Sequence, residues 1–225
     1  MLVWRLTRFD SGRGLVMFRA TGVAFGARTV FGRAAGVESP AGGQPNLRGK
    51  ALARHQREAK LAADLCPQLP EPGEHVHCLM LGYFGLAPVI ADVAARTNPR
   101  AVRIATLCWS MKNVEHLAGM MERRHAVGDP LPLTIVVSDF FRQHNKELVR
   151  HTRERLEPFG GVRIVPCRSH AKVTTFDLGP GDGLTFEGSA NLRTNRNVEQ
   201  LTIIRGRDTH DWHAAWIDRI AGAAA

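Results

Sequence analysis

One short stretch of this chain concentrates side chains able to do phosphate chemistry. It reads His170-Ala171-Lys172-Val173-Thr174-Thr175-Phe176-Asp177, then Gly188-Ser189-Ala190-Asn191, then Asn197-Val198-Glu199. On a strand, residues two apart face the same side, so His170 and Lys172 are predicted to project together as an imidazole beside an ammonium. Gly188 lets the backbone and the small Ser189 side chain approach a ligand closely. Asn191 offers an amide donor for a phosphoryl oxygen, and Lys172 a full positive charge. Displacement at a phosphodiester needs a nucleophile next to fixed donors, because the charge on the phosphoryl oxygens has to be held in place.

These residues resemble the signature of the phospholipase D superfamily: HxK, four residues, Asp, a spacer, then GSxN. His170, Lys172, Asp177, Gly188, Ser189 and Asn191 all match, and Glu199 stands where family members often carry an acid after GSxN. The interval from Asp177 to Gly188 is longer than in the commonest form of the motif, and Gly179-Pro180-Gly181-Asp182-Gly183 falls inside it, as a longer hairpin loop would require. The resemblance implies that His170 attacks phosphorus to give a phosphohistidine, and that Lys172 and Asn191 bind the non-bridging oxygens. Ser189 would help to position them, Glu199 would orient an imidazole, and Asp177 would be structural. Neither metal nor organic cofactor is implied.

The family uses two such motifs face to face, and this chain holds one. A second HxK, His144-Asn145-Lys146, is predicted to lie in a helix, where residues two apart diverge by ~200°, and no GSxN follows it. The resemblance therefore implies a two-fold homodimer in which each chain contributes one half-site, as in single-motif bacterial nucleases. Arg193 and Arg196 follow the motif and are candidates for substrate phosphates, with a solvated surface as the plain alternative.

Other groupings are weaker. His210 and His213, with Asp208 and Asp211 nearby, lack a third ligand, and helix capping accounts for the aspartates, so no metal site is expected there or at His75 and His77. Trp109 at a strand end could stack on a base, although core burial explains it as well. Met120 and Met121 read as helix contacts.

The elements that must position the motif begin after an arm. Residues 1–46 are rich in Gly and Arg and end in a linker-like Ser39–Pro45. The apolar stretches Leu15–Phe18 and Val23–Phe31 suit a hairpin, but their glycines argue against a stable one, and the arm is expected to be poorly ordered. The domain proper, 47–225, is predicted to open with a helix over Leu47–Leu65. Strand-like His75–Leu81, Ala101–Trp109, Leu131–Val137 and Gly161–Pro166 then alternate with helical Ala87–Thr97, a helix capped by Ser110 and running to about Val127, and Phe140–Leu156. This rhythm predicts an α/β fold: a phospholipase D-like domain with a mixed, mainly parallel central sheet flanked by helices. Strands Lys172–Leu178, Leu184–Glu187 and Val198–Ile204 follow. A last helix, Asp208–Ile220, is predicted to carry Trp212, Trp216, Ile217 and Ile220 on one face.

The 225 residues carry a formal charge of +9, and eleven of the Lys/Arg but three of the Asp/Glu fall in residues 1–60. A basic arm suits a polyanion such as nucleic acid; a solvated arm is the plain alternative. No stretch has the length of apolar residues a spanning helix needs, and stable membrane association is not expected. Cys66, Cys78, Cys108 and Cys167 are widely spaced, which points to a reducing cytoplasm and to no metal-binding pair. The start is Arg-rich and acid-poor, as in transit sequences, but lacks the pattern of a secretory signal. The expected activity is a metal-independent phosphodiesterase, with nuclease as the leading form. A lipid phosphodiesterase and a non-catalytic nucleic-acid-binding protein are the alternatives.

Overall fold

The computed structural model describes residues 5–10, 15–21, 69–80, 85–193 and 197–223. The expected helix over Leu47–Leu65, most of the arm and Arg196 lie outside the described residues. Strands β3 (His75–Met80), β4 (Ala101–Thr106), β5 (Leu133–Ser138), β6 (Val162–Cys167), β7 (Val173–Gly179), β8 (Asp182–Gly188) and β9 (Glu199–Arg205) form one mixed sheet. Its order is β3-β9-β8-β7-β4-β5-β6. Within the arm, β1 (Arg5–Asp10) and β2 (Leu15–Thr21) pair antiparallel, and β2 extends the sheet beside β3. This hairpin lies earlier than the Leu15–Phe18 and Val23–Phe31 stretches considered for one: its first strand is Arg5–Asp10, and its second is Leu15–Thr21.

The sheet is α/β and flanked by helices, but it is not mainly parallel. Only β4–β5 and β5–β6 pair in parallel, whereas β3–β9, β9–β8, β8–β7 and β7–β4 are antiparallel. Helical crossovers serve only the first half of the domain. From β6 onward the chain returns through a loop, the β7–β8 hairpin and a second loop, and each return reverses strand direction.

Helices α1 (Leu86–Thr97), α2 (Met111–Ala126) and α4 (Lys146–Leu156) belong to one face, and α5 (Arg207–Ala223) to the other. Strand alternation serves both. Val102 and Ile104 of β4, Leu133 and Ile135 of β5, and Phe176 and Phe186 of the central hairpin join the large core with Ile90, Leu117 and Met121. Ala105, Val136 and Val173 face the other way and meet Ile217 of α5. Met120 and Met121 are core residues, as read from the sequence.

Local chemistry sets the boundaries. Asn113 accepts the Ser110 backbone N–H at 2.9 Å, closing the start of α2. The segment expected as one helix over Phe140–Leu156 is two, α3 (Asp139–His144) and α4, broken at Asn145. The Asn145 amide donates to the Phe141 carbonyl at 3.1 Å, competing with a continuing helix. The last helix also differs in phase. Its buried stripe is His210, His213, Ala214, Ile217 and Ala221, while Trp212 is 67% exposed. Positions 210, 213/214, 217 and 221 follow the helical period, and Trp212 falls outside it.

Candidate active site

The motif residues converge where β4 and β8 end and β7 and β9 begin, at the carboxyl ends of the parallel strands, the usual place for a ligand in an open α/β sheet. An open cavity of about 740 Å³ is lined there by His170, Lys172, Ser189 and Asn191. Glu187, His213 and Trp212 line it too.

The loop after β8 alternates like a strand. Ala190 and Leu192 are buried, which leaves Ser189 exposed and Asn191 half-buried on the cavity side. Asn191 is fixed by its own oxygen: Oδ1 accepts the Leu107 N–H at 3.1 Å, so the amide NH2 is the end left to donate. Gly188 is required by a close approach of β9. A Cβ there would sit 2.1 Å from the Gln200 carbonyl oxygen, a backbone atom that no rotamer change can move aside. Ser189 is locked from three sides: its N–H donates to the Gln200 carbonyl at 3.0 Å, its Oγ accepts the Gln200 N–H at 2.9 Å, and its hydroxyl donates to Glu199.

His170 is exposed, and Lys172 reaches back to it. The ammonium lies 2.7 Å from the imidazole Nδ1 and donates to the His170 carbonyl at 2.7 Å. Burial pushes the Lys172 ammonium below the usual lysine range, partly offset by the charges of Cys108 and Glu199. Glu199 accepts a hydrogen bond from the Ser189 hydroxyl, so this carboxylate steadies the motif serine. Arg193 is exposed just beyond the loop, and its charge favours the thiolate at Cys108, although burial outweighs it and raises that thiol.

Asp177 lies at the far end of β7. Burial opposes its ionisation, but the Gly179 N–H and the Arg207 guanidinium more than compensate, and its carboxyl sits below the usual range. It accepts from Gly179 at 3.0 Å and from Arg207 at 3.0 Å, tying the β7–β8 turn to the first residue of α5.

The other sequence candidates are held elsewhere. His144 sits at the end of α3 with its ring 4.3 Å from that of Phe140, and Lys146 begins α4, so the second HxK straddles a helix break and not a helix. Trp109 is 3% exposed and donates its indole N–H to Thr152 at 3.0 Å, which makes it a core residue. His210 is buried against Gly183 and contacts Asp211. His77 contacts Thr202 at 3.1 Å. Among the described residues no three His, Cys, Asp or Glu side chains group as metal ligands, and no helix is long and apolar enough to cross a membrane.

Sequence reasoning missed three residues of the cavity. The Trp216 indole N–H donates to His213 Nδ1 at 3.0 Å, which leaves the His213 proton on Nε2, where it donates to Glu187 at 2.5 Å. Through the buried His213, this relay holds a carboxylate on the cavity wall, and Trp212 stands at the rim above it. The signal was present in part: Glu187 shares a strand face with Thr185, and His213 lies on the buried stripe of α5. Comparison with known proteins does not add to the site: no family model matches the sequence, and no curated protein matches it.

Proposed function

We propose that this chain is one half of a metal-independent phosphodiesterase of the phospholipase D type, acting on nucleic acid. The observation that carries the reading is the meeting of His170 and Lys172, just before β7, with Ser189 and Asn191, just after β8, on one open cavity. The non-bridging oxygens of a phosphodiester would take the Lys172 ammonium and the Asn191 NH2. An imidazole nitrogen of His170 would form the bond to phosphorus as the bond to the leaving oxygen breaks. Water would then cleave the P–N bond and restore the histidine.

The leaving oxygen needs a proton, and the other imidazole that lines the cavity among the described residues, His213, is already engaged at both nitrogens, by Glu187 and Trp216. This supports a site completed by His170 of a second copy in a two-fold dimer. The charge of +9 and its concentration in residues 1–60 support nucleic acid over a lipid substrate.

Cleavage of single-stranded DNA, RNA and phosphatidylcholine should be compared in excess chelator. We expect nucleic-acid cleavage that persists there and falls at least ~10³-fold in His170→Ala, with unchanged circular dichroism. Strict dependence on an added divalent ion, or an unchanged rate in the variant, would overturn the reading. Light scattering should give a dimer; a fully active monomer would remove the shared site.

A further inference from the structure

The cavity has two chemically different ends. One holds the Lys172 ammonium and the Asn191 amide, beside a Ser189 whose hydroxyl is given to Glu199. The other holds the Glu187 carboxylate, His213 and the Trp212 indole. An anion is drawn to the first end and repelled from the second. A group that continues from a phosphate into the second end must therefore be uncharged or hydrogen-bond-donating, and must tolerate an aromatic face.

Trp212 is built for such contact. It is 67% exposed on a helix whose apolar stripe is elsewhere, so burial in the core does not account for it. Its ring meets that of His213 edge to face, with centroids 4.4 Å apart and planes at 79°. His213 is itself only 5% exposed and pinned by Glu187 and Trp216, so the indole rests on a fixed support while its other surfaces meet solvent. A braced aromatic ring loses little freedom on binding, and every nucleobase has a face that can stack on it.

We infer that Trp212 is a base-stacking platform, and that the substrate is single-stranded or locally unpaired nucleic acid, seated with a base on the indole and a neighbouring phosphate at Lys172 and Asn191. The inference rests on the phosphodiesterase reading for the second half of that statement only. Paired bases have their faces covered by their neighbours, so a duplex cannot use this platform without opening. A cavity of about 740 Å³ is within the size range of sites that enclose small ligands.

The test compares a single-stranded oligonucleotide with an abasic strand of equal length, using the full chain and Trp212→Ala and Trp212→Phe. Binding is read by fluorescence anisotropy and cleavage by kcat/KM. The wild type should prefer the base-containing strand, and Trp212→Ala should reduce that preference about 5- to 150-fold, the loss of one base–aromatic stack. Trp212→Phe should retain most of it. A merely structural role would lower both strands together and keep their ratio; that result overturns the inference, as does loss of the dimer in Trp212→Ala or faster turnover of phosphatidylcholine than of either strand. If nothing is cleaved but the base preference in binding depends on Trp212, the platform stands and the enzyme reading falls. If both strands are cleaved with a preference indifferent to Trp212, the platform falls and the enzyme reading stands.

Discussion

The β7–β8 hairpin carries a polar cluster at each end, and the two are assembled on different terms. At the turn end, Asp177 meets Arg207 at 3.0 Å, Asp182 meets Arg205 at 2.6 Å, and Arg207 also reaches Asp211. Each charge there faces an opposite one from the same chain, and little is left for a ligand. At the open end, Lys172 has no ion-pair partner among the described residues; its ammonium rests on an imidazole and a carbonyl. The nearby carboxylates are occupied, Glu199 by a serine hydroxyl and Glu187 by His213. A cation kept partly out of water without a carboxylate in contact is poorly compensated, and an incoming phosphate repairs that. The motif spans both ends, so sharing a signature does not mean sharing a role: Asp177 fastens one end while His170 serves the other.

If the open end depends on placement, the largest effect in this comparison should come from its most crowded backbone position. Gly188→Ala puts a methyl group against the Gln200 carbonyl, and β9 must move away. Ser189 and Glu199 flank that contact, so we expect kcat/KM to drop about 100-fold, with a loss of about 1–3 kcal/mol in urea unfolding. A variant with wild-type activity would show that the β8–β9 contact does not set the site.

A smaller effect tests the partly compensated cation. Because burial lowers the Lys172 ammonium from the ordinary lysine value of ~10.4, the proton is lost earlier as pH rises, and with it the charge that holds the anion. The alkaline limb of kcat/KM should therefore lie below that value and fall about tenfold per pH unit. Lys172→Arg, which keeps its charge there, should lose this limb even at a lower absolute rate. An unchanged limb would place the titration on another group.

The residues of the open end were legible because their relations are local. His170 and Lys172 are two apart, and Ser189 and Asn191 share a loop whose alternation follows from two apolar neighbours. The opposing wall was not. Glu187 and His213 are 26 positions apart, and their contact depends on the phase of α5 as well as on strand alternation. The expected face of that helix, with Trp212 beside Ile217, missed the phase set by His210, His213 and Ala221. Sheet direction failed for a related reason. β3 pairs with β9, Met80 opposite Glu199, across most of the domain, and no local period encodes which distant strand comes alongside. Asn145 broke a helix that its neighbours would have continued, a competition between side chain and backbone that periodicity does not register.

The smallest effect on rate should come from the turn end, and that is where the comparison is sharpest. Asp177→Asn removes the charge facing Arg207 and leaves the open end in place, so kcat/KM per folded molecule should stay within about twofold. Stability should respond instead, by about 1–3 kcal/mol at neutral pH, as expected for a hydrogen bond to a charged group. The sign with pH follows from the lowered carboxyl of Asp177. Its contribution is complete above the unfolded value of ~3.9 and is lost as pH falls through the lower folded value. The wild-type advantage over Asp177→Asn in urea midpoint should therefore be steady near neutrality and shrink in acid below about pH 4. A variant that is stable but inactive would reverse the assignment, making Asp177 part of the chemistry and the two ends of the hairpin one site.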